Sequence, residues 1–136
     1  MPKTLISIVI PVYNEEGNIL PFFAELKQAI PKEYEVEFIY VDDGSTDSTL
    51  TKIKQLQAKN KNAKYISFTR NFGHQYALKA GLDHAQGEAV ISLDGDFQHP
   101  PKLIPQMLEK WATGQYPLVF TSRRDDVKTS YLKKLP

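Results

Sequence analysis

At 136 residues, with 41% hydrophobic and 24% charged side chains, the chain has the composition of one globular domain, not of a disordered segment. A formal charge of +1 gives no basic excess of the kind that bulk nucleic-acid binding requires. With no cysteine, disulfides, thiolate catalysis and cysteine-ligated zinc are excluded, and no apolar run approaches the roughly 18–20 residues of a membrane span.

The N-terminal run LISIVIPV (5–12) reads as a first strand; Pro11 and the acidic YNEE segment follow it at once, unlike a signal peptide with its cleavage site. VEFIYV (36–41), AKYISFT (63–69), EAVISL (88–93) and YPLVFTS (116–122) are four further candidate strands. Several are continuous apolar runs, the pattern of a parallel sheet covered on both faces. Between them, helix-like segments lie near 16–30, 47–60, 74–85 and 101–113. Ser45 or Asp47 can cap the second, and Pro100-Pro101 suits the start of the fourth. The alternation predicts an α/β fold with a Rossmann-like, doubly wound, mostly parallel sheet and helices on both faces. In such sheets ligands bind beyond the carboxyl ends of the strands. Here those ends run into PVYNEE, VDDGSTD, TRNFG and LDGDFQ, a concentration of acids, Asn and Gly that a core does not explain.

In VDDGSTD (41–47), turn and cap chemistry accounts for Gly44, Ser45 and Asp47, but not for the adjacent acids Asp42 and Asp43. Carboxylates there could accept from a nucleobase N–H or a ribose hydroxyl. In LDGDFQ (93–98), Asp94 and Asp96 are close enough in sequence to serve one hard cation, such as Mg2+ with substrate phosphates, or to be two solvated loop residues. Arg70, at the end of the third strand, suits a phosphate or a neighbouring aspartate. His74 and Gln75 begin the next helix and are candidates to face a ligand, although a lone histidine on a helix is more often structural. The three histidines have no zinc-binding spacing. Arg123 and Arg124 follow the fifth strand, where they are placed to meet phosphates; Lys128, Lys133 and Lys134 are as readily a solvated face as a contact to an anionic membrane.

SIVIPVYNEEGNI, VDDGSTDST, RNFGHQYALKAGLDHAQGEAVISLDGDFQHPP and TSRRDD, in this order, resemble the nucleotide-sugar domain of family 2 inverting glycosyltransferases of the GT-A fold. The similarity is greatest to the polyprenyl-phosphate branch, that of dolichol-phosphate mannose synthases and bactoprenol glucosyltransferases. The resemblance implies Pro11, Tyr13 and Glu15 in a nucleotide pocket, with Asp42 and Asp43 on base and ribose and Arg70 near the nucleotide. It implies Asp94 and Asp96 as a DxD motif on a donor diphosphate, Gln98 completing a Mg2+ or Mn2+ site, and Arg123 on a donor or acceptor phosphate. Asp94, Asp96 and Arg123 would then carry the catalysis. A UDP-glucose-like donor is the first expectation, with GDP-mannose or a saccharide hydroxyl acceptor as the alternative.

The relatives of that branch are longer. The expectation is therefore a catalytic core over 1–122 and a basic tail over 123–136 leading to an acceptor and membrane region not present here. The full-length protein is expected at the cytoplasmic face of a membrane, in cell-envelope glycan synthesis, with the fragment itself soluble, incomplete for turnover and open to self-association. Other machinery fails on placement. A nucleotidyltransferase is expected to carry a Gly-rich loop after the first strand, where PVYNEEGN has a single glycine. A phosphatase with a nucleophilic aspartate needs its DxD after strand one. A receiver-type signalling domain needs an aspartate after strand three, which ends instead in TRN. No GxxxxGK[ST], GxGxxG or GxSxG pattern occurs.

Overall fold

A computed structural model describes residues 2–97, 100–114, 118–121 and 127–130, the last two segments as backbone only. Four strands, β1 (Thr4–Val12), β2 (Tyr34–Asp42), β3 (Ala63–Ser67) and β4 (Ala89–Ser92), form one sheet in the order β3-β2-β1-β4. Every pairing in it is parallel, with Ile8 of β1 opposite Phe38 on one side and Ile91 on the other. This is the doubly wound α/β architecture expected. Helices α1 (Ile19–Ala29), α2 (Thr49–Lys59), α3 (His74–His84) and α4 (Ile104–Ala112) fill the connections, and a 3-10 turn, Pro101–Leu103, opens onto α4.

β1 is buried on both faces, which is why its sequence is apolar without alternation. Ile6, Ile8, Ile10 and Val12 face a core built with Phe22, Phe23 and Leu26 of α1, Ile53 and Leu56 of α2, and Ile104, Met107 and Leu108 of α4. In α1 the apolar positions 19, 22, 23 and 26 follow the helical period and form the buried stripe. The other face is smaller: Val9, Ile39 and Val41 meet Ala77 of α3. A Cβ on Gly81 would collide with the Val9 side chain, so glycine there lets α3 lie close on the sheet.

The fifth strand departs from expectation. β5 (Leu118–Thr121) does not extend the parallel sheet but pairs antiparallel with β6 (Val127–Ser130) in a separate two-stranded ribbon. A four-residue apolar run carries no record of its partner, and its partner lies in the segment read from sequence as a solvated tail. The chain therefore reverses direction across the sheet once: β1, β2 and β3 step one way, and β4 returns to the far side of β1. That reversal opens a crevice between the carboxyl ends of β1 and β4.

Candidate functional site

A cavity of about 470 Å³ lies at that crevice, in the range of small-molecule sites. β1 and the residues after it contribute Pro11, Val12, Tyr13 and Glu15; the end of β2 contributes Asp43; α3 contributes His74, Gln75 and Ala77; the loop after β4 contributes Asp94, Gly95 and Asp96. Six residues singled out from sequence, Pro11, Tyr13, Glu15, Asp43, Asp94 and Asp96, are thus brought to one cavity from three separate loops.

Two others fall outside the lining. Asp42 is the last residue of β2, and successive residues of a strand face opposite sides, so it turns away from Asp43. It is buried, and its Oδ1 accepts from the Ser45 N–H at 3.2 Å, bracing the turn. Arg70 is drawn aside because its guanidinium lies 4.1 Å from the centre of the Phe72 ring. Gln98, Arg123 and Arg124 lie outside the described residues.

The loops after β1 and β2 are laced together. The Asn14 N–H donates to Ser45 Oγ at 2.8 Å, and Asn14 Oδ1 accepts from the Thr46 N–H at 2.8 Å. The Glu15 N–H donates to Thr49 Oγ1 at 2.8 Å, and the Ser48 N–H to Glu16 Oε2 at 2.9 Å. Asn14 sits at φ 50°, a left-handed conformation that asparagine tolerates well. The N-cap of α2 is Ser48, not the expected Ser45 or Asp47, and makes no side-chain cap bond; Asp47, just before it, accepts from the Thr49 N–H at 2.9 Å and from the Thr49 hydroxyl at 2.5 Å. Burial pushes the Asp47 carboxyl up, but these bonds and the Glu16 N–H outweigh it and hold it below its ordinary value. Gly44, at φ 74°, packs so close to the Arg70–Asn71 backbone that a Cβ has no room.

Asp43 anchors the third rim. Its carboxylate accepts from Asn71 Nδ2 at 3.1 Å, from the Phe72 N–H at 2.8 Å and from the Gly73 N–H at 3.1 Å. It therefore fixes the start of α3 as well as lining the cavity. On the fourth rim, Gly95 packs against Val12, whose Cγ1 would lie 2.7 Å from an added Cβ. The two flanking aspartates are partly exposed, and His74 Nε2 lies 2.9 Å from Asp94 Oδ1.

The cavity is acidic, with Glu15, Asp43, Asp94 and Asp96 on its wall. A cation suits it, and one would offset the repulsion between this wall and a polyanion. Among the described residues no group of three histidine or carboxylate side chains converges as a complete metal cage. Two carboxylates with an open side fit Mg2+ or Mn2+, which prefer oxygen ligands and commonly complete their shell with phosphate and water. Val12, Ala77 and Gly95 also line the cavity without any motif in the sequence to mark them, and His74 and Gln75 are marked there only by their position at a helix start.

Residues 7–136 match the family model for glycosyl transferase family 2. An uncharacterized glycosyltransferase of Synechocystis is 42% identical over 130 residues, which are 95% of this chain and 41% of that protein. A prophage-derived bactoprenol glucosyl transferase of Shigella flexneri is 43% identical, over 95% of this chain and 42% of its own length. The chain thus spans about two fifths of the length of the curated relatives it matches. Among solved structures, a mannosyltransferase of Pyrobaculum calidifontis in complex with GDP-Man and Mn2+ superposes with a TM-score of 0.68 at 25% identity, over 81% of this chain and 32% of that one. A glucosyl-3-phosphoglycerate synthase of Mycobacterium tuberculosis, in complex with Mn2+, UDP and glucosyl-3-phosphoglycerate, gives 0.65 at 25% identity, over 82% and 41%. The fold is that of the GT-A glycosyltransferases.

Proposed function

The chain belongs to glycosyl transferase family 2, and from that premise we propose that it is the donor-binding part of a hexosyltransferase that moves a sugar from a nucleoside diphosphate to a polyprenyl phosphate with inversion. The observation that carries the reading is the acidic cavity at the reversal between β1 and β4, where Asp43, Asp94 and Asp96 meet the Pro11–Tyr13 segment. In this reading the nucleoside lies against Pro11, Tyr13, Glu15 and Asp43, and Asp94 and Asp96 face the diphosphate. A divalent cation held by these two aspartates, with Gln98 as the resemblance implies, would neutralise the diphosphate as it leaves. Mn2+ in both solved relatives supports a divalent ion, either Mg2+ or Mn2+.

The chain's own part is to bind and orient. The Asn14–Thr46 and Glu15–Thr49 bonds hold the nucleoside rim rigid, so the reacting carbon is presented in one geometry. Arg123 belongs to the phosphate-facing set on the strength of the resemblance, while Asp42 serves the nucleotide side only by bracing the turn behind Asp43. A phosphate acceptor is already an anion and needs little base catalysis. The bactoprenol name of the Shigella relative supports a lipid acceptor at a membrane, reached through segments beyond a catalytic core spanning 1–122. Among the described residues no helix is long and apolar enough to cross a membrane.

UDP-glucose is the first donor in this proposal; GDP-mannose is the second, favoured by the GDP-Man complex of the Pyrobaculum relative. Calorimetric titration with UDP, GDP and ADP, each with Mn2+ and with EDTA, separates them. One nucleotide should bind, and far more tightly with the metal than in EDTA. Asp96→Asn should remove the metal-dependent binding while the fold persists. Equal UDP affinity with and without metal, in both proteins, would count against the reading.

A further inference from the structure

We propose that His74 is a positioning residue for Asp94, holding the carboxylate by its Nε2–H in the orientation that receives the cation. The inference rests on the reading above, that Asp94 faces a metal-bound diphosphate. It begins with the contact itself: Nε2 lies 2.9 Å from Asp94 Oδ1, and an ionised carboxylate can only accept, so the imidazole nitrogen donates. Asp94 retains 24% of its side-chain exposure, and a donor at this distance narrows the rotamers its carboxylate samples at the cavity mouth.

The imidazole is itself held on a rigid support. His74 is the first residue of α3, and the two N–H groups just before it, on Phe72 and Gly73, are bound by Asp43. One turn on, fully buried Ala77 and then Gly81 seat the helix on Val9 and Val41. The start of α3 is thus fixed from β2, and its first side chain reaches across the cavity to the loop after β4. A histidine that only filled space at a helix start would not need to span two loops. Through this arrangement the nucleoside wall, at Asp43, and the cation wall, at Asp94, are joined by one helix terminus. Outer partners of this kind typically change metal affinity by about 10–100-fold when removed.

The test titrates UDP in Mn2+ and in EDTA against the wild-type chain, His74→Ala, His74→Gln and Asp94→Asn, each checked for its fold by circular dichroism. Glutamine places an N–H near the position of Nε2. His74→Ala should lower the ratio of Mn2+ to EDTA affinity by about tenfold, with the EDTA affinity changing by less than about twofold. His74→Gln should recover most of the ratio, and Asp94→Asn should abolish it. An unchanged ratio in His74→Ala, beside a lost one in Asp94→Asn, overturns the role of His74 and leaves the metal reading standing. Equal loss in Mn2+ and EDTA marks a merely structural residue, and failure of glutamine to restore the ratio removes the N–H as the cause; either overturns the inference. A wild-type chain that binds UDP without regard to Mn2+ defeats both the reading and the inference built on it.

Discussion

Asp43 accepts from Asn71, Phe72 and Gly73 at once, so its replacement acts on stability before it acts on any ligand. Asp43→Ala would orphan these donors at a site only 4% exposed, and should cost about 2–3 kcal/mol in urea denaturation. Asp43→Asn keeps one accepting oxygen and is the variant to use with uridine. Tyr40 is the opposite case. Its buried hydroxyl has no hydrogen-bond partner among the described residues, and burial pushes its pKa well up. Tyr40→Phe removes that polar group while keeping the ring against Phe23, and should leave stability equal or raise it by about 1 kcal/mol in the same measurement. Neither property is visible in sequence. VDD and IYV look alike as strand endings, and only the third dimension separates a carboxylate with three donors from a phenol with none.

At the scale of elements, the sheet holds a second polar cluster, away from the cavity. Glu37 of β2 is 3% exposed and accepts from Ser7 Oγ of β1 at 2.5 Å, from Lys64 Nζ of β3 at 2.9 Å and from the Gln86 N–H at 2.7 Å. Ser7 in turn accepts from the Gly87 N–H at 2.9 Å, so three strands and the loop after α3 are tied at one point. Burial raises the Glu37 carboxyl, but the bonds from Ser7, Gln86 and Lys64 and the charge of Lys64 prevail and leave it below its ordinary value. The unfolded chain then binds the proton more readily than the folded one, so the contribution is complete above the unfolded value of about 4.3 and fades as pH falls through the lower folded value. Glu37→Gln should flatten the stability profile in that acidic window, measured by denaturation midpoints from pH 3 to about 6. The parallel sheet was legible because β1 and β2 are buried runs flanked by helical periods. The Ser7–Gly87 pairing was not, since contacts 80 residues apart leave no local pattern. The same limit explains β5, whose antiparallel partner lay in residues that read as polar tail.

For the whole molecule, the reversal of strand order next to β1 decides where a ligand can sit, and the loops that meet there carry the acidic motifs that stand out in the sequence. DxD and VDDGSTD were legible because acids at a strand end conflict with burial and so stand out. Asn14, Ser45 and Thr46 were not, because each alone is an ordinary turn residue. Ligand linkage gives a prediction at this scale. UDP with Mn2+ at about a hundredfold over its dissociation constant should stabilise the fold by about 2.7 kcal/mol, seen as a melting-temperature rise of several degrees that EDTA abolishes.

The lacing of the loops after β1 and β2 bears on redesign. Asn14 bonds across to Ser45 and Thr46, and Glu16 to Asp47 and Ser48, so each loop supplies partners to the other. Transplanting either loop alone from a relative with another nucleotide preference would leave these cross-loop bonds without their counterparts. The two segments form one exchangeable cassette, and a chimera that imports 13–16 together with 44–49 should fold where either single graft falters.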